Sequence, residues 1–216
     1  FKQKTAYDIK VIHKCTSVRH ALKAQSVGVS AITIDGFECA GHPGEDDIPS
    51  LVLLPQAAEA LEIPVAGCGG FSDAKSLVAA LALGGEAIVM GTRFMATKEA
   101  GIHQNVKDIM TEADERSTNL MFRTMHNTAR VFKNSISDQV VEIESTGTAK
   151  FEDVKDLVAG QRGRVVFEKG DMEHGIWSAG ISVARVKDIP TCDEMVSRLV
   201  SDAEDIIDGR LQKLKA

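Results

Sequence analysis

A strand-like run, a loop and an amphipathic helix recur along residues 8–91, and this repeat constrains the fold more than any other feature. The apolar, β-branched runs occupy residues 9–13, 31–34, 63–66 and 87–90. Strands that alternate with helices form parallel sheets with right-handed crossovers. The repeat therefore predicts an α/β fold with four parallel strands.

Two of the helices in this repeat have recognisable ends. The second helix is expected near residues 50–61, where Ser50 could cap it, although Pro55 could instead mark a later start. The third helix is expected to take Ser72 as its N-cap and to end at Gly84.

The pattern changes after the fourth run. A short helix is expected at 106–113, residues 119–150 are mixed in character, and a helix at 154–158 is expected to end at Gly160. A T-x-x-E capping box at 191–194 predicts the start of a long final helix. This part of the chain therefore reads as helical packing on the sheet.

The charge balance and the cysteines exclude several classes of protein. The 216 residues include 25 Lys and Arg against 31 Asp and Glu, a net charge of −6, without the basic runs that bind nucleic acid or anionic membranes. No apolar run approaches the ~20 residues that cross a bilayer. Four cysteines without metal-ligand spacing favour reduced thiols, no metal and a cytoplasmic protein; they are Cys15, Cys39, Cys68 and Cys192.

A long loop follows the second strand and contains His42. Function in parallel α/β folds lies in the loops after the carboxyl ends of the strands. The loop spans residues 36–47 and places a titratable imidazole between glycine-containing turns. It could be a surface loop with an incidental histidine, but its position favours a functional site.

Two further loops, 67–73 and 90–94, have the character of a phosphate site. The first brings Gly69 and Gly70 to the start of a helix, and the second places Gly91 and Thr92 directly after a strand. Backbone N–H groups and a hydroxyl at such positions bind anions. Each motif alone is weak, but the loops follow consecutive strands, as in the phosphate site of (β/α)₈ barrels.

Lys14 lies at the end of the first predicted strand and is therefore expected at the same end of the sheet as these loops. There it could stabilise an anionic ring or oxygen, or it could be an ordinary surface lysine. The neighbouring His13 is expected to face the opposite way, because side chains alternate along a strand.

The motifs together resemble the nitronate monooxygenase family, formerly called 2-nitropropane dioxygenases. The resemblance rests on I-H-K-C-T at 12–16, D-G-F-E-C-A-G-H-P-G-E-D-D at 35–47, G-G-F at 69–71 and M-G-T-R-F at 90–94, and it extends to G-Q-R-G at 160–163 and G-I-W-S-A-G at 175–180. The spelling is similar to a subgroup that contains bacterial NADH:quinone reductases.

The resemblance implies the C-terminal half of a (β/α)₈ TIM barrel that holds FMN, with no metal. Residues 1–100 then correspond to barrel strands 5–8, and residues 101–216 to a helical extension that is not an independent domain. The family has a preceding part with strands 1–4, so Phe1 is expected to lie within a longer protein.

The resemblance also assigns roles to residues. His42 matches the active-site histidine, while the cofactor-binding positions are Lys14, Ala40, Gly41, Gly69, Gly70, Gly91 and Thr92. In the implied arrangement the phosphate binds at the glycines and Thr92, and the flavin ring lies between Lys14 and His42. The charge of Lys14 would then favour the anionic reduced flavin.

The implied activity is oxidation of alkyl nitronates or nitroalkanes with O₂. The alternatives are NAD(P)H:quinone reduction with the same FMN, an inactive flavin- or phosphate-binding remnant, and an incomplete gene product stabilised by self-association. Flavin-dependent enoyl-acyl carrier protein reductases share the Gly-His and Gly-Gly motifs, but the spelling at 43–47 argues against them. The expected partners are small substrates and O₂, with a homodimer possible and neither nucleic acid nor membrane expected.

Overall fold

Four parallel strands form the central sheet of the computed structural model, which describes residues 9–215. Residues 1–8, which begin the predicted 1–100 segment, and Ala216 lie outside the described residues. The strands are β1 (Ile12–Cys15), β2 (Ala31–Asp35), β3 (Val65–Cys68) and β4 (Ala87–Val89). Their spatial order follows the sequence, which confirms the predicted parallel α/β arrangement.

Burial differs sharply between the middle and the edges of this sheet. Ile32 and Ile34 of β2 are fully buried in the main apolar core, together with Leu53 and Leu54 of the following helix. The side chains of Ile12 and Val89 on the outer strands are exposed. The two edges of the sheet, β1 and β4, thus carry apolar side chains that the described residues leave uncovered.

Three helices alternate with the strands: α1 (Val18–Ser26), α2 (Ser50–Ala60) and α3 (Ala74–Ala82). The later start of α2 at Pro55 is wrong, because Pro55 lies inside this helix. Ser50 is not its side-chain cap either. The two carboxylate oxygens of Glu38 accept from the Ser50 N–H at 2.9 and 3.2 Å. They thus pair one of the N–H groups that the first turn of a helix leaves without a partner.

The N-cap of α3 is Asp73 rather than Ser72. Asp73 accepts a hydrogen bond from the Ser76 N–H, and the Ser76 hydroxyl accepts one from the Asp73 N–H, which makes a capping box. The predicted end of the helix at Gly84 is confirmed, because Gly84 has a φ of +87° just beyond the last turn.

The second half of the chain contains an antiparallel hairpin within the stretch described above as mixed. Strands β5 (Thr118–Met121) and β6 (Ala129–Phe132) pair with each other, and their turn contains a short 3₁₀ segment, Arg123–Met125. The helices between β4 and residue 170 are α4 (Thr92–Met95), α5 (Gln104–Glu112), α6 (Ser135–Glu144), α7 (Phe151–Val154) and α8 (Gly160–Lys169). The prediction that Gly160 ends a helix is wrong, because Gly160 begins α8.

A final helix returns to the sheet. Helix α9 (Cys192–Asp205) begins at the predicted capping box, where Thr191 accepts from the Glu194 N–H. Its Ala203 packs with Ala74 and Val78 of α3. Among the described residues, no helix combines the length and the apolar character that crossing a membrane requires.

Candidate functional site

A cavity of about 310 Å³ opens at the carboxyl ends of the four strands. Ligand sites in α/β folds are built at this end of the sheet. The lining brings together the ends of β1–β4, the two glycine-containing loops and a segment near residue 180. It consists of Ile12, Lys14, Thr33, Asp35, Glu38, Cys39, Ala40, Cys68, Gly69, Gly70, Phe71, Val89, Gly91, Thr92, Gly180 and Ser182.

An ion pair forms on the wall of the cavity. The Nζ atom of Lys14 lies 2.6 Å from Oδ2 of Asp35, whose side chain is fully buried, while that of Lys14 is 58% exposed. The Oδ1 atom of Asp35 is buried and has no hydrogen-bond partner among the described residues. Burial lowers the pKa of Lys14, but the hydrogen bond and charge of Asp35 outweigh it, and the pKa is raised overall.

Two thiols lie beside this ion pair. Burial and then the negative charge of Asp35 raise the pKa values of Cys39 and Cys68 to about 12 each. Both therefore remain neutral thiols near pH 7. All four cysteines are free, which agrees with the expectation of reduced thiols.

The Gly69–Gly70 loop provides unpaired donors at the cavity. Both glycines have left-handed backbone conformations, with φ values of +88° and +82°. A side chain at Gly69 would collide with the backbone of residues 36 and 39, whereas a Cβ at Gly70 would make ordinary van der Waals contact with the Glu38 side chain, at 3.5 Å or more. The N–H groups of Gly70 and Phe71 have no acceptor among the described residues, so they can donate to a ligand such as a phosphate.

The third loop adds a hydroxyl and more open space. The Thr92 hydroxyl oxygen accepts a hydrogen bond of 2.9 Å from the Gly180 N–H, which leaves its hydrogen for another partner. No described atom lies within 4 Å of the Cβ position at Gly91. The 67–73 and 90–94 loops thus meet at one cavity, as expected for consecutive strands.

The structure places His42 and Gly41 differently from the other candidates. Lys14, Ala40, Gly69, Gly70, Gly91 and Thr92 all line the cavity, whereas Gly41 and His42 are not among its described lining residues. Gly41 forms an antiparallel bridge with Arg130 of β6, and the His42 side chain is exposed. The imidazole therefore lies outside the cavity wall.

Arg130 and Glu38 hold the start of the 36–47 loop. The buried guanidinium of Arg130 lies 4.6 Å above the Phe37 ring and donates to the Phe37 carbonyl oxygen at 2.9 Å. On the other side, the Glu38 carbonyl oxygen accepts from the Ile181 N–H. The hairpin and the segment that contains Ile181 thus support this loop from the second half of the chain.

Asp35, Gly180 and Ser182 are among the residues of the site that escaped the sequence reasoning as functional candidates. Asp35 opens the string that carries the family resemblance, and its position at the end of an apolar run was the available signal. Gly180 closes the string at 175–180, but its contact with Thr92 spans 88 residues and leaves no local pattern. Among the described residues, no cluster of three or more His, Cys, Asp or Glu could hold a metal ion.

A comparison with known families matches residues 1–202 to the family described as nitronate monooxygenase. One relative, 34% identical over 51% of this chain, is a probable nitronate monooxygenase of Staphylococcus saprophyticus, of which the chain covers 34%. Another, 27% identical over 94% of this chain, is the (3aS,4S,5R,7aS)-5-hydroxy-7a-methyl-1-oxo-octahydro-1H-indene-4-carboxyl-CoA dehydrogenase of Rhodococcus jostii, of which it covers 67%.

Solved structures share the fold. FabK from Thermotoga maritima aligns with a TM-score of 0.91 and 26% identity over 99% of this chain and 67% of that protein. Nitroalkane oxidase from Streptomyces ansochromogenes aligns with a TM-score of 0.74 and 26% identity over 91% of this chain and 58% of that protein. The chain therefore spans about two thirds or less of the length of these proteins, and its fold is the corresponding part of their TIM-barrel architecture.

Proposed function

Because the chain belongs to the nitronate monooxygenase family, we propose that it carries the cofactor site of an FMN-dependent oxidoreductase that oxidises alkyl nitronates and nitroalkanes with O₂. The family assignment gives an oxidoreductase. The cofactor and the substrate are the proposal. We also propose, as before, that residues 1–100 correspond to barrel strands 5–8 and that residues 101–216 form a dependent extension.

The observation that carries the proposal is the set of unpaired donors at the junction of two loops. The N–H groups of Gly70 and Phe71 lack acceptors among the described residues, and the Thr92 hydroxyl hydrogen remains available. Open space lies in front of Gly91. Donors without acceptors around an open volume suit a phosphate monoester, which accepts several hydrogen bonds at once.

The remainder of the cavity is the proposed site of the flavin ring. When bound, FMN would supply the redox chemistry. Lys14 and Ala40 would line the ring site. The negative charge of Asp35 partly cancels the positive charge of Lys14 at the ring site. Lys14 would therefore stabilise a negatively charged ring less strongly than a lone ammonium group would.

His42 is proposed as the residue that meets the substrate at the mouth. Its imidazole could donate a hydrogen bond to a nitro oxygen or accept the α-proton of a neutral nitroalkane. The exposed position suits a group that meets a substrate arriving from solvent. We expect His42→Ala to retain FMN and to lose about 10²–10⁴-fold in turnover. Unchanged turnover would contradict the role of His42.

Anaerobic mixing distinguishes the proposed activity from NAD(P)H:quinone reduction. The loaded protein is mixed separately with an alkyl nitronate and with NADH or NADPH, and flavin absorbance is followed. Bleaching by the nitronate alone supports the proposal. Rapid bleaching by a reduced nicotinamide supports the quinone reductase, and an inability to bind FMN supports the inactive remnant.

A reductase or dehydrogenase acting on a thioester is the second candidate function. The likeness to FabK covers nearly the whole chain at a TM-score of 0.91, and one relative is named as a carboxyl-CoA dehydrogenase. Turnover of an enoyl thioester with NADH or NADPH, in the absence of nitronate turnover, would favour it. A homodimer and a cytoplasmic location remain proposals beside either function.

A further inference from the structure

The hairpin holds the chain immediately before His42. The Gly41 N–H donates to the Arg130 carbonyl oxygen at 3.0 Å, and the Arg130 N–H donates back to the Gly41 carbonyl oxygen at 2.6 Å. These two bonds form an isolated bridge between the loop and β6. Gly41, the residue before His42, is therefore fixed by backbone pairing.

A second pair of bonds holds the chain three residues after His42. The Glu45 carboxylate accepts from the Thr128 N–H at 2.7 Å and from the Thr128 hydroxyl at 2.6 Å. Burial would raise the pKa of Glu45, but the Thr128 hydrogen bonds lower it, so the carboxylate stays charged at neutral pH. Thr128 itself is buried.

A third contact lies further along the loop. Arg123, in the hairpin turn, donates to both carboxylate oxygens of Asp47 at 3.0 Å. This pair is partly exposed on both sides, so water weakens it. It reinforces the attachment of the loop without being its main support.

The turn that provides these anchors is itself firmly held. The Glu144 carboxylate accepts from the Phe122 N–H at 2.7 Å and from the Thr124 hydroxyl at 3.0 Å. Phe122 and His126 have positive φ values of 63° and 51°, a conformation that costs free energy for residues other than glycine. Such a backbone persists only where the surroundings determine it.

We propose that Glu45 and Thr128 are positioning residues for His42. Their two hydrogen bonds and the bridge at Gly41 fix the chain on both sides of the imidazole and so restrict its direction. This inference rests on the proposed function, because the orientation of His42 matters only if His42 contacts the substrate. Sequence reasoning assigned no role to either residue.

The test compares Glu45→Ala with Glu45→Gln in the complete chain. Glu45→Ala removes both hydrogen bonds, whereas Glu45→Gln keeps an amide oxygen that can accept one of them. Thr128→Val removes the hydroxyl bond from the other side with little change of shape. Glu204→Ala, which changes an exposed glutamate on α9, is the matched control.

Two readouts separate positioning from general stability. The first is the ¹H–¹³C NMR signal of the His42 ring, assigned by its loss in His42→Ala and recorded without any substrate. We expect the signal to shift or broaden in Glu45→Ala and in Thr128→Val, and to stay near its original position in Glu45→Gln and Glu204→Ala. The second is kcat, expected to fall about 10–100-fold in Glu45→Ala with FMN affinity unchanged.

The outcomes distinguish this inference from the proposed function. A His42 signal that is the same in Glu45→Ala and the unmodified chain would overturn the positioning role, whatever the activity. A changed signal with unchanged kcat would show that the direction of the ring does not matter, and would also overturn it. Unchanged turnover in His42→Ala instead contradicts the proposed role of His42 itself.

Discussion

The ammonium nitrogen of Lys14 and the carboxylate of Asp35 lie 2.6 Å apart on neighbouring strands at the wall of the cavity. One partner is fully buried and the other half exposed, so the two contribute unequally. Loss of Lys14 leaves a buried carboxylate without a counter-charge, which is costly. Loss of the carboxylate leaves a lysine that can move into water.

We therefore predict that Lys14→Met lowers the free energy of unfolding by about 1–3 kcal/mol. Urea denaturation at pH 7 measures it. Because the cost comes from stranding Asp35, the double variant with Asp35→Asn should recover most of the loss. If the two single effects simply add in the double variant, the ion pair does not contribute in this way.

The direction of the Lys14 pKa shift determines how the stabilisation by this ion pair depends on pH. The pKa of Lys14 is raised above its usual value of 10.5, so the associated stability is present below that value. It is lost as the pH rises through the higher pKa of the folded protein. The stability difference between the unmodified chain and Lys14→Met should stay constant from neutral pH to about pH 10 and shrink at higher pH.

Asp73 provides a test at the acidic end. Burial would raise its pKa, but hydrogen bonds from Arg185 and from the Ser76 N–H lower it below the usual 3.8. Its contribution to stability is therefore present above 3.8 and is lost as the pH falls through the lower pKa of the folded protein. Asp73→Ala, which removes the helix cap, should cost about 1–2 kcal/mol at pH 7.

Asp73→Asn is the matched variant, because asparagine also caps helices but carries no charge. It should cost less than Asp73→Ala at pH 7, and its difference from the unmodified chain should shrink as the pH falls below about 4. Denaturant titrations at several pH values measure both effects. A difference that grows as the pH falls would contradict the assignment.

The cavity thiols should be poor nucleophiles. With pKa values of about 12, Cys39 and Cys68 have roughly 10³-fold less thiolate at pH 8 than an ordinary cysteine of pKa ~8.5. We predict that iodoacetamide modifies both slowly in the folded chain and that urea removes the protection. Mass spectrometry of digested samples measures the rates. Rapid labelling of either residue in the folded protein would contradict the raised pKa values.

Much of the fold could be predicted from local pattern alone. Four apolar runs with intervening helices gave the parallel order of β1–β4, and the capping box at 191–194 gave the start of α9. Some boundaries were wrong because neighbouring residues compete for one role. Ser72 and Asp73 can both cap a helix, and only the reciprocal bond with Ser76 decides between them.

The hairpin could not be predicted in the same way. Its turn, residues 122–128, has neither glycine nor proline, and Phe122, which has a positive φ, donates its N–H to the distant Glu144 carboxylate. A turn that depends on a distant carboxylate has no local signature. The loop contacts it makes with Gly41 and Glu45 therefore also lay beyond the reach of the sequence.

The candidate site shows the same division. Gly69, Gly70, Gly91 and Thr92 were predictable because loops after adjacent parallel strands meet at one end of the sheet. The contact of Asp35 with Lys14 was not, because nothing in the sequence shows which strand-end carboxylate meets a lysine on the neighbouring strand. The register that brings β1 and β2 together decides that contact.

The central claim is that the junction of the glycine loops binds the phosphate of FMN, and a flavin titration tests it most directly. Gly70→Asp places a carboxylate at the proposed phosphate site. Gly147→Asp is its matched control, because Gly147 also has a positive φ, of 73°, and a Cβ fits there without a clash, as it does at Gly70. Both changes impose a similar backbone strain.

Fluorescence quenching of FMN is measured with the unmodified chain and with both variants. The account predicts saturable binding by the unmodified chain and by Gly147→Asp, and a loss of affinity of at least about 100-fold in Gly70→Asp from charge repulsion. Equal FMN affinity in Gly70→Asp and Gly147→Asp, or no saturable binding by the unmodified chain, would contradict it.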